Sequence, residues 1–337
     1  MKQRLAIDLG SYYVKLVEGY KRNNKFYIEK IGYFPNPFPG FRDSLVEREQ
    51  DEFAISLKRF IHTNGIKSKR TISNLNATGV VTHYFDIPDL TENEINSAIQ
   101  LEMIQVTPGG IKNFEYDYLL MQGKDKKKTI LFVGCQKDKC DFFINTLQRS
   151  GLKPFILDHD SLALLNCYKY FSNTDAEDNT VFILNIGHKS ANFVIADGEN
   201  KFVLVRDIYF GAKNLIEYFA NNLNIAPEEA EIYINKQENF EEVKKLVSSN
   251  LDDFIVEVRA GLEYSKTRID KLPTNILITG GGAMIPGVRE SLEKMLDIQA
   301  SVWNPLEHIT TPLLSEDIKK KGYLFTVALG LALRDIR

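Results

Sequence analysis

Long apolar runs are absent from this chain of 337 residues, and no window reaches the roughly 20 uninterrupted apolar residues that a membrane span needs. The N-terminus passes from Met1-Lys2-Gln3-Arg4 directly into strand-like sequence with no apolar leader core, so a cytosolic protein is expected. Cysteine is scarce. Cys135, Cys140 and Cys167 are odd in number, form no CxxC pair and have no histidine pair beside them, which reads as reduced packing thiols rather than disulfides or a zinc site. A charge excess is missing as well: 42 Lys and Arg against 45 Asp and Glu give a net charge of −3. There is no global basic field for nucleic acid, although a basic patch can still be concentrated locally. No His/Asp/Ser set or metal-ligand spacing supports another enzyme chemistry, and His62, His83 and His308 stand isolated.

What is present is an ordinary globular composition, 44% hydrophobic and 26% charged, with length enough for two domains with separate cores. Two glycine turns organise it. The run Leu5 to Leu9 reads as a strand ending at Asp8, Gly10 supplies a bend, and Val14, Leu16 and Glu18 resume a period of two. Such a turn leaves the backbone N–H groups of Ser11, Tyr12 and Tyr13 free to converge on an anion, and a phosphate is the natural guest. Asp8 would repel that phosphate unless Mg²⁺, held through water, sat between them, and Lys15 would neutralise phosphate charge from the next strand. An ordinary hairpin with a solvent-facing Asp and Lys fits this stretch equally well on its own.

The pattern then returns. Ile183 to Gly198 overlays the first stretch so that Asn185 matches Asp8 and Gly187 matches Gly10, which makes an internal repeat, with His188 and Lys189 in the second turn. A third cluster, Gly280-Gly281-Gly282 followed by Ala283 and Met284, lies between an apolar strand and a helix expected to begin near Pro286, and offers bare backbone to a flat ligand group.

Asp8-x-Gly10-Ser11 with Lys15, then Asn185-x-Gly187, then Gly280-Gly281-Gly282 resemble the phosphate-1, phosphate-2 and adenosine motifs of the actin, heat-shock-protein-70 and sugar-kinase ATPase superfamily. Within it the chain is most similar to the PilM family of type IV pilus assembly proteins, relatives of FtsA. The resemblance runs through nearly the whole sequence, including Ser150 to Pro154, Leu157-Asp158, Arg206-Asp207-Ile208 before Gly211, and Ala328 to Arg334. It implies an α/β fold of two duplicated actin-like, ribonuclease-H-like halves around a nucleotide cleft, with an inserted α+β subdomain like the 1C subdomain of that family. The first, 1A-like half is expected over 1–86 and 158–175, the inserted subdomain over 87–157, and the second, 2A/2B-like half over 176–337.

Local patterns fill in this outline. Lys25 to Phe34 reads as a third strand, stopped by Pro35, Pro37 and Pro39. Residues 47–64 read as a helix, and 71–75 and 80–85 as strands. Thr91 and Glu94 make a capping box for a helix carrying Ile95, Ala98, Ile99 and Met103, two strands flank residues 123–128, and a helix runs over about 138–150. Lys124, Lys126, Lys127 and Lys128 form the one dense basic run, which a solvated hairpin tip explains better than lipid contact. After a polar loop over 172–179, strands and helices alternate to the end, and Gly211 opens a helix.

The resemblance implies ATP and Mg²⁺ as ligands, with Asp8 holding the metal through water. Nucleotide contacts are expected from Gly10, Ser11, Tyr12, Tyr13, Lys15, Asn185, Gly187, His188, Lys189, Gly280, Gly281, Gly282, Ala283 and Met284. Lys213, Glu217, Glu231 and Lys236 either reach a ribose or base or are solvated helix charges. Hydrolysis is expected to be weak or absent, because Asn185 stands where the superfamily has Asp and brings no charge to the metal. Asp158 and Asp160 fall where the family's connecting segment enters the cleft; Asp160 reads better as the N-cap of the next helix, which leaves Asp158 as the catalytic candidate.

The implied role is an adaptor at the inner face of the cytoplasmic membrane. It would be held there by partners, chiefly the cytoplasmic N-terminal tail of a bitopic PilN-like protein seated between the 1A-like and 1C-like parts. Pilus assembly ATPases and further copies of the chain are open as partners, and nucleic acid is not expected. An FtsA-like filament former is the alternative, against which the chain ends at Arg337 with no amphipathic helix beyond. A sugar-kinase-type phosphotransferase is another, lacking here any further substrate motif.

Overall fold

The structure is a computed structural model describing all residues except 1–2, 24, 39–45, 76–78, 108–109, 123–126, 172–179, 199–200, 308, 310–313 and 336–337. Pro39, Lys124, Lys126, the 172–179 loop and His308 therefore lie outside the described residues. Strand β1 (Arg4–Leu9) turns at Gly10 into β2 (Tyr13–Arg22), with Asp8 directly opposite Lys15. Strand β3 (Lys25–Pro35) lies antiparallel on β2. Helix α1 (Glu47–Thr63) buries Phe53, Ala54 and Leu57, and β4 (Arg70–Leu75) enters parallel to β1.

The chain then leaves this sheet. Strand β5 (Val80–Ile87), α2 (Glu92–Val106), β6 (Phe114–Gln122) and β7 (Lys128–Gln136) build a separate antiparallel sheet in the order β5-β7-β6. Ile95, Ile99 and Met103 of α2 close its small core against Ile130 and Phe132. Glu94 accepts the Thr91 N–H at 2.8 Å, as the capping box requires. Helix α3 (Lys137–Arg149) returns beneath the first sheet, packing Cys140, Phe143 and Leu147 among Leu5, Ile7 and Leu9, and feeds β8 (Lys153–His159), parallel to β4.

The strand pairing thus bounds the insertion at about residues 80 and 136, not 87 and 157. Strand β5 pairs with β7, while α3 is the crossover that any parallel β4–β8 connection needs. The two ends of the insertion touch, since the Gln136 N–H donates to the Gly79 carbonyl at 3.2 Å.

Helix α4 (Asp160–Phe171) leads into the second half: β9 (Val181–Ile186), β10 (Ala191–Ala196), β11 (Val203–Ile208), α5 (Ala212–Leu223), α6 (Pro227–Asn235), α7 (Phe240–Ser248), α8 (Asp252–Lys266) and β12 (Asn275–Thr279). Then come α9 (Val288–Leu296), β13 (Gln299–Val302), α10 (Glu316–Lys320) and α11 (Thr326–Leu333). Helix α9 starts two residues later than expected, because Gly287 takes a left-handed conformation (φ 93°) and only a 3-10 turn over Gly281–Met284 precedes it.

The second sheet, β11-β10-β9-β12-β13, repeats the first, β3-β2-β1-β4-β8, in order and in the direction of every pairing. The duplication is therefore real at the level of topology. The halves also exchange helices: α11 packs on α4 and on the first sheet, while α4 packs against β10. At the crossing, Gly330 lies so close to the Ala163 carbonyl that no Cβ would fit.

The inserted unit leans on the second half too. Tyr84 Oη accepts the Val205 N–H of edge strand β11 at 2.7 Å, the Gln122 N–H donates to the Lys201 carbonyl at 3.1 Å, and Arg268 Nη1 lies 2.9 and 3.0 Å from the two oxygens of Asp86. The first of these caps a backbone N–H that edge strand β11 would otherwise leave open.

Candidate functional site

Because β1 and β9 both end at the middle of the molecule, their two glycine turns face each other across a cleft of about 290 Å³. In the first turn Lys15 Nζ lies 2.7 Å from Asp8 Oδ2 and 3.2 Å from the Tyr13 carbonyl. A Cβ on Gly10 would overlap the Tyr13 carbonyl, so glycine is required for the approach. In the second turn the same register pairs Asn185 with Asn192, amide to amide at 3.2 Å. One half carries an ion pair where the other carries two neutral amides.

The third glycine cluster joins them through the sheet. Thr279 pairs with Asn185, Gly280 turns at φ 85°, and a Cβ there would strike Asn185 Oδ1 and the Ile186 carbonyl. A Cβ on Gly282 would come within 2.5 Å of the Ile186 side chain, so the second turn and this cluster, far apart in sequence, form one wall that faces the first turn across the cleft.

The cleft lining contains Asp8, Gly10, Ser11, Tyr12, Tyr13, Lys15, Asn185, Gly187, His188, Gly280, Gly281, Gly282 and Met284 from the expected set. Four expected residues are not in it. Ala283 is buried behind the turn, Lys189 stands outside the lining, and Lys213 on α5 pairs with Glu217 at 3.3 Å. Asp158 is buried outside the lining, with Oδ2 2.5 Å from Arg334 Nη1 at the end of α11.

Asp160 lines the cleft instead. It starts α4 as expected of a cap, yet the Asn74 amide donates to it at 2.8 Å and to Asp8 Oδ1 at 3.2 Å, tying two carboxylates to one side chain. Residues not foreseen also line the cleft: Asn192, Tyr33, Asn235, Lys321 and Tyr323, together with Glu231, which sequence left undecided.

The electrostatics disfavour a bare anion. Asp8, Asp160 and Glu231 face Lys15 and Lys321 among the lining groups, so the carboxylates outnumber the ammonium groups. His188 adds no charge: burial, helped by Lys213 and Lys189, pulls its pKa below the usual range. Lys321 donates to Tyr33 Oη at 2.9 Å, which with Asp317 holds its pKa up.

Among the described residues no group of three His, Cys, Asp or Glu side chains can hold a metal by itself. The hard oxygens of Asp8 and Asp160 suit Mg²⁺ that keeps most of its shell as water and phosphate oxygens, and an incoming polyphosphate would supply the rest.

The model of the family described as type IV pilus assembly protein PilM matches residues 6–336. The chain belongs to that family. Among solved structures, the PilM-PilN type IV pilus biogenesis complex shares 22% identity at a TM-score of 0.82, over 98% of this chain and 97% of that one. The ethanolamine utilization protein EutJ from Carboxydothermus hydrogenoformans is 14% identical at 0.58, over 99% and 90%. MreB5 of Spiroplasma citri bound to ADP is 12% identical at 0.52, over 98% and 95%. These likenesses establish the actin-like fold. No curated protein matches the sequence. Among the described residues of this PilM-family chain, no helix is long and apolar enough to cross a membrane.

Proposed function

We propose that the chain binds ATP with Mg²⁺ in the interhalf cleft and acts as a nucleotide-dependent adaptor with little or no turnover. The observation that carries this reading is the convergence of both duplicated turns and the Gly280 cluster on one cleft. Backbone N–H groups of the turns would take the phosphates. Asp8 and Asp160 would orient a hydrated metal that offsets phosphate charge, and Glu231 and Asn235 stand where α6 could meet a ribose. Asn185 brings an amide, not a carboxylate, to the second turn, which favours holding nucleotide over splitting it.

We propose further that the adaptor's cargo is the N-terminal tail of a PilN-like membrane protein, extended along the junction of the first half and the inserted sheet. A PilN partner is named in the complex to which this chain is similar. Strand β6 is an edge of the inserted sheet and exposes Leu119 and Leu120, which suits strand addition with apolar anchoring.

The test is calorimetric titration with Mg-ATP and with the tail peptide, for the full chain and for a chain with residues 80–136 replaced by a short linker between the adjacent ends Gly79 and Lys137. Micromolar affinity for both ligands, about −8 kcal/mol, is expected of the full chain. The shortened chain should keep ATP and lose the tail. Phosphate release on the order of a typical enzyme's 10 s⁻¹ would overturn the adaptor reading. A folded, shortened chain that still holds the tail would overturn the groove.

A further inference from the structure

Strands β1, β4 and β8 all begin at the rim of the first sheet opposite the cleft, where β2 also ends and β3 begins, so this rim gathers whatever the strand ends carry. It carries cations. Arg22 and Lys25 face each other across the β2–β3 turn, Lys67 and Lys69 lead into β4, and Arg70 and Lys153 are partners in the first rung of the β4–β8 ladder. The Lys153 N–H donates to the Lys69 carbonyl at 2.7 Å, which fixes those two side by side.

All six are exposed, and none sits in an ion pair among the described residues. The nearby carboxylates are committed elsewhere. Glu18 is buried and accepts the N–H groups of Lys67 and Ser68 at 2.8 and 2.5 Å, Gln3 donates to Glu29, and Asp335 pairs with Lys21 at 2.7 Å. In a chain of net charge −3, such a rim is an arrangement and not a consequence of composition. Five strands at about 4.8 Å spread it over roughly 20 Å.

Aromatic rings accompany the charge. Tyr20 and Tyr27 stack beside the turn with centroids 5.3 Å apart and planes 14° apart, and Tyr27 is 43% exposed. Tyrosine with an apolar body and a polar tip suits the headgroup level of a bilayer, and flanking cations suit its anionic surface.

We propose that this rim is a membrane-contact surface that rests on anionic phospholipid headgroups, with the paired strand ends Arg22 and Lys25 foremost and the cleft facing away. The cations lie along a row of strand ends, Arg70 seated over the Phe155 ring at 4.0 Å and the other five on long arms, and β2 runs beyond the partner of Arg4 by three residues. That layout matches a plane of diffuse negative charge better than the fixed register of an acidic peptide. The inference does not rest on nucleotide binding.

The test is co-sedimentation of the full chain with phosphatidylcholine vesicles, alone and with about a third phosphatidylglycerol, at low and raised ionic strength. Partition onto the anionic vesicles alone, lost in salt, is expected. Combining Arg22→Gln, Lys25→Gln, Lys69→Gln and Lys153→Gln should lower the partition coefficient at least a hundredfold, at about fivefold for each cation. Combining Lys244→Gln, Lys245→Gln, Lys319→Gln and Lys320→Gln changes net charge equally and should leave partition near that of the parent. Thermal melts confirm that both variants fold. Failure of the parent to bind anionic vesicles, equal binding to neutral ones, or equal loss in the two variants would overturn the proposal. Tighter binding to polyglutamate than to vesicles would also overturn it, marking the rim as a docking face for an acidic protein.

Discussion

The phenolic hydroxyl of Tyr12, on the turn of the first hairpin, donates a 2.7 Å hydrogen bond to Glu231 Oε1 on α6, so the two halves touch across the mouth of the cleft. Burial and the Glu231 carboxylate together raise the Tyr12 pKa, so the proton that makes this bond stays in place through neutral and mildly alkaline pH. The His188 ring lies against the same ring, tilted by 51° with centroids 4.9 Å apart. Side chains of both halves thus meet at the mouth.

Removing that bond should free the mouth. A partly exposed bond to a charged acceptor contributes about 1 kcal/mol, so Tyr12→Phe should raise the open population, and with it the association rate of a fluorescent ATP analogue, about fivefold. Stopped-flow mixing checks this. An unchanged association rate would mean that Tyr12 and Glu231 do not gate the cleft.

Asp8 holds Lys15, and in the proposed site it would also orient a hydrated metal. Asp8→Asn keeps the shape and removes the charge, so affinity for ATP in Mg²⁺ should fall at least tenfold, about 1.4 kcal/mol, while affinity in chelator changes little. The ratio of the two titrations is the decisive quantity. If it matches that of the parent protein, the metal does not depend on Asp8.

Restoring a carboxylate to the second turn is the converse experiment. Asn185→Asp faces Asn192, an amide that can donate to it, and adds charge beside Gly280. Phosphate release should rise while ATP affinity stays within about tenfold. No gain in turnover would place the limit on hydrolysis elsewhere than in the missing charge.

Beneath the cleft, His159 Nε2 at the end of β8 lies 3.1 Å from Asp207 Oδ2 on β11, while its Nδ1 accepts the Ser161 N–H at 3.2 Å, a weaker bond that the neutral ring makes and the charged ring gives up in exchange for the ion pair. Burial works against the charged ring, but Asp207, with Asp160 and Asp158 behind it, outweighs burial and raises the pKa. The stability this gives is complete below the unfolded value, about 6.5, and is lost as pH rises through the higher folded value. Melting temperature should therefore fall as pH rises above the unfolded value, and Asp207→Asn should flatten that slope. A parent slope as flat as the variant's would remove the pair from the pH response.

What sequence could show was set by backbone demands within a few residues. Gly10, Gly187 and Gly280 each stand where a Cβ would strike a carbonyl or an amide, so the three turns were legible one by one. Asn192 was within reach of the same reasoning: it follows Asn185 by the interval at which Lys15 follows Asp8, and hairpin register makes both cross-strand partners. Tyr33, Asn235 and Lys321 were not, because elements distant in sequence bring them to the cleft.

Asp158 and Asp160 show how narrow the margin is. They are two residues apart, yet the strand ends between them. Asp158 therefore faces the helix layer and Arg334, while Asp160 opens α4 at the cleft. The alternating pattern of residues 80–85 revealed a strand but carried no mark of which sheet it joins. That choice is made by long-range pairing, and it moved both ends of the inserted unit.

The chain passes between its halves twice, through α4 and through α11, and the two passes meet where Gly330 abuts the Ala163 backbone with no side chain between them. Two rods in backbone contact cannot slide past each other without climbing over carbonyls, but they can pivot. Motion of one half against the other is thereby reduced to rotation about a fixed fulcrum, and displacement grows with distance from it. The outer parts of both halves become the long ends of a lever whose short end is the cleft floor. A small rotation at that floor would be enlarged at the surfaces farthest away.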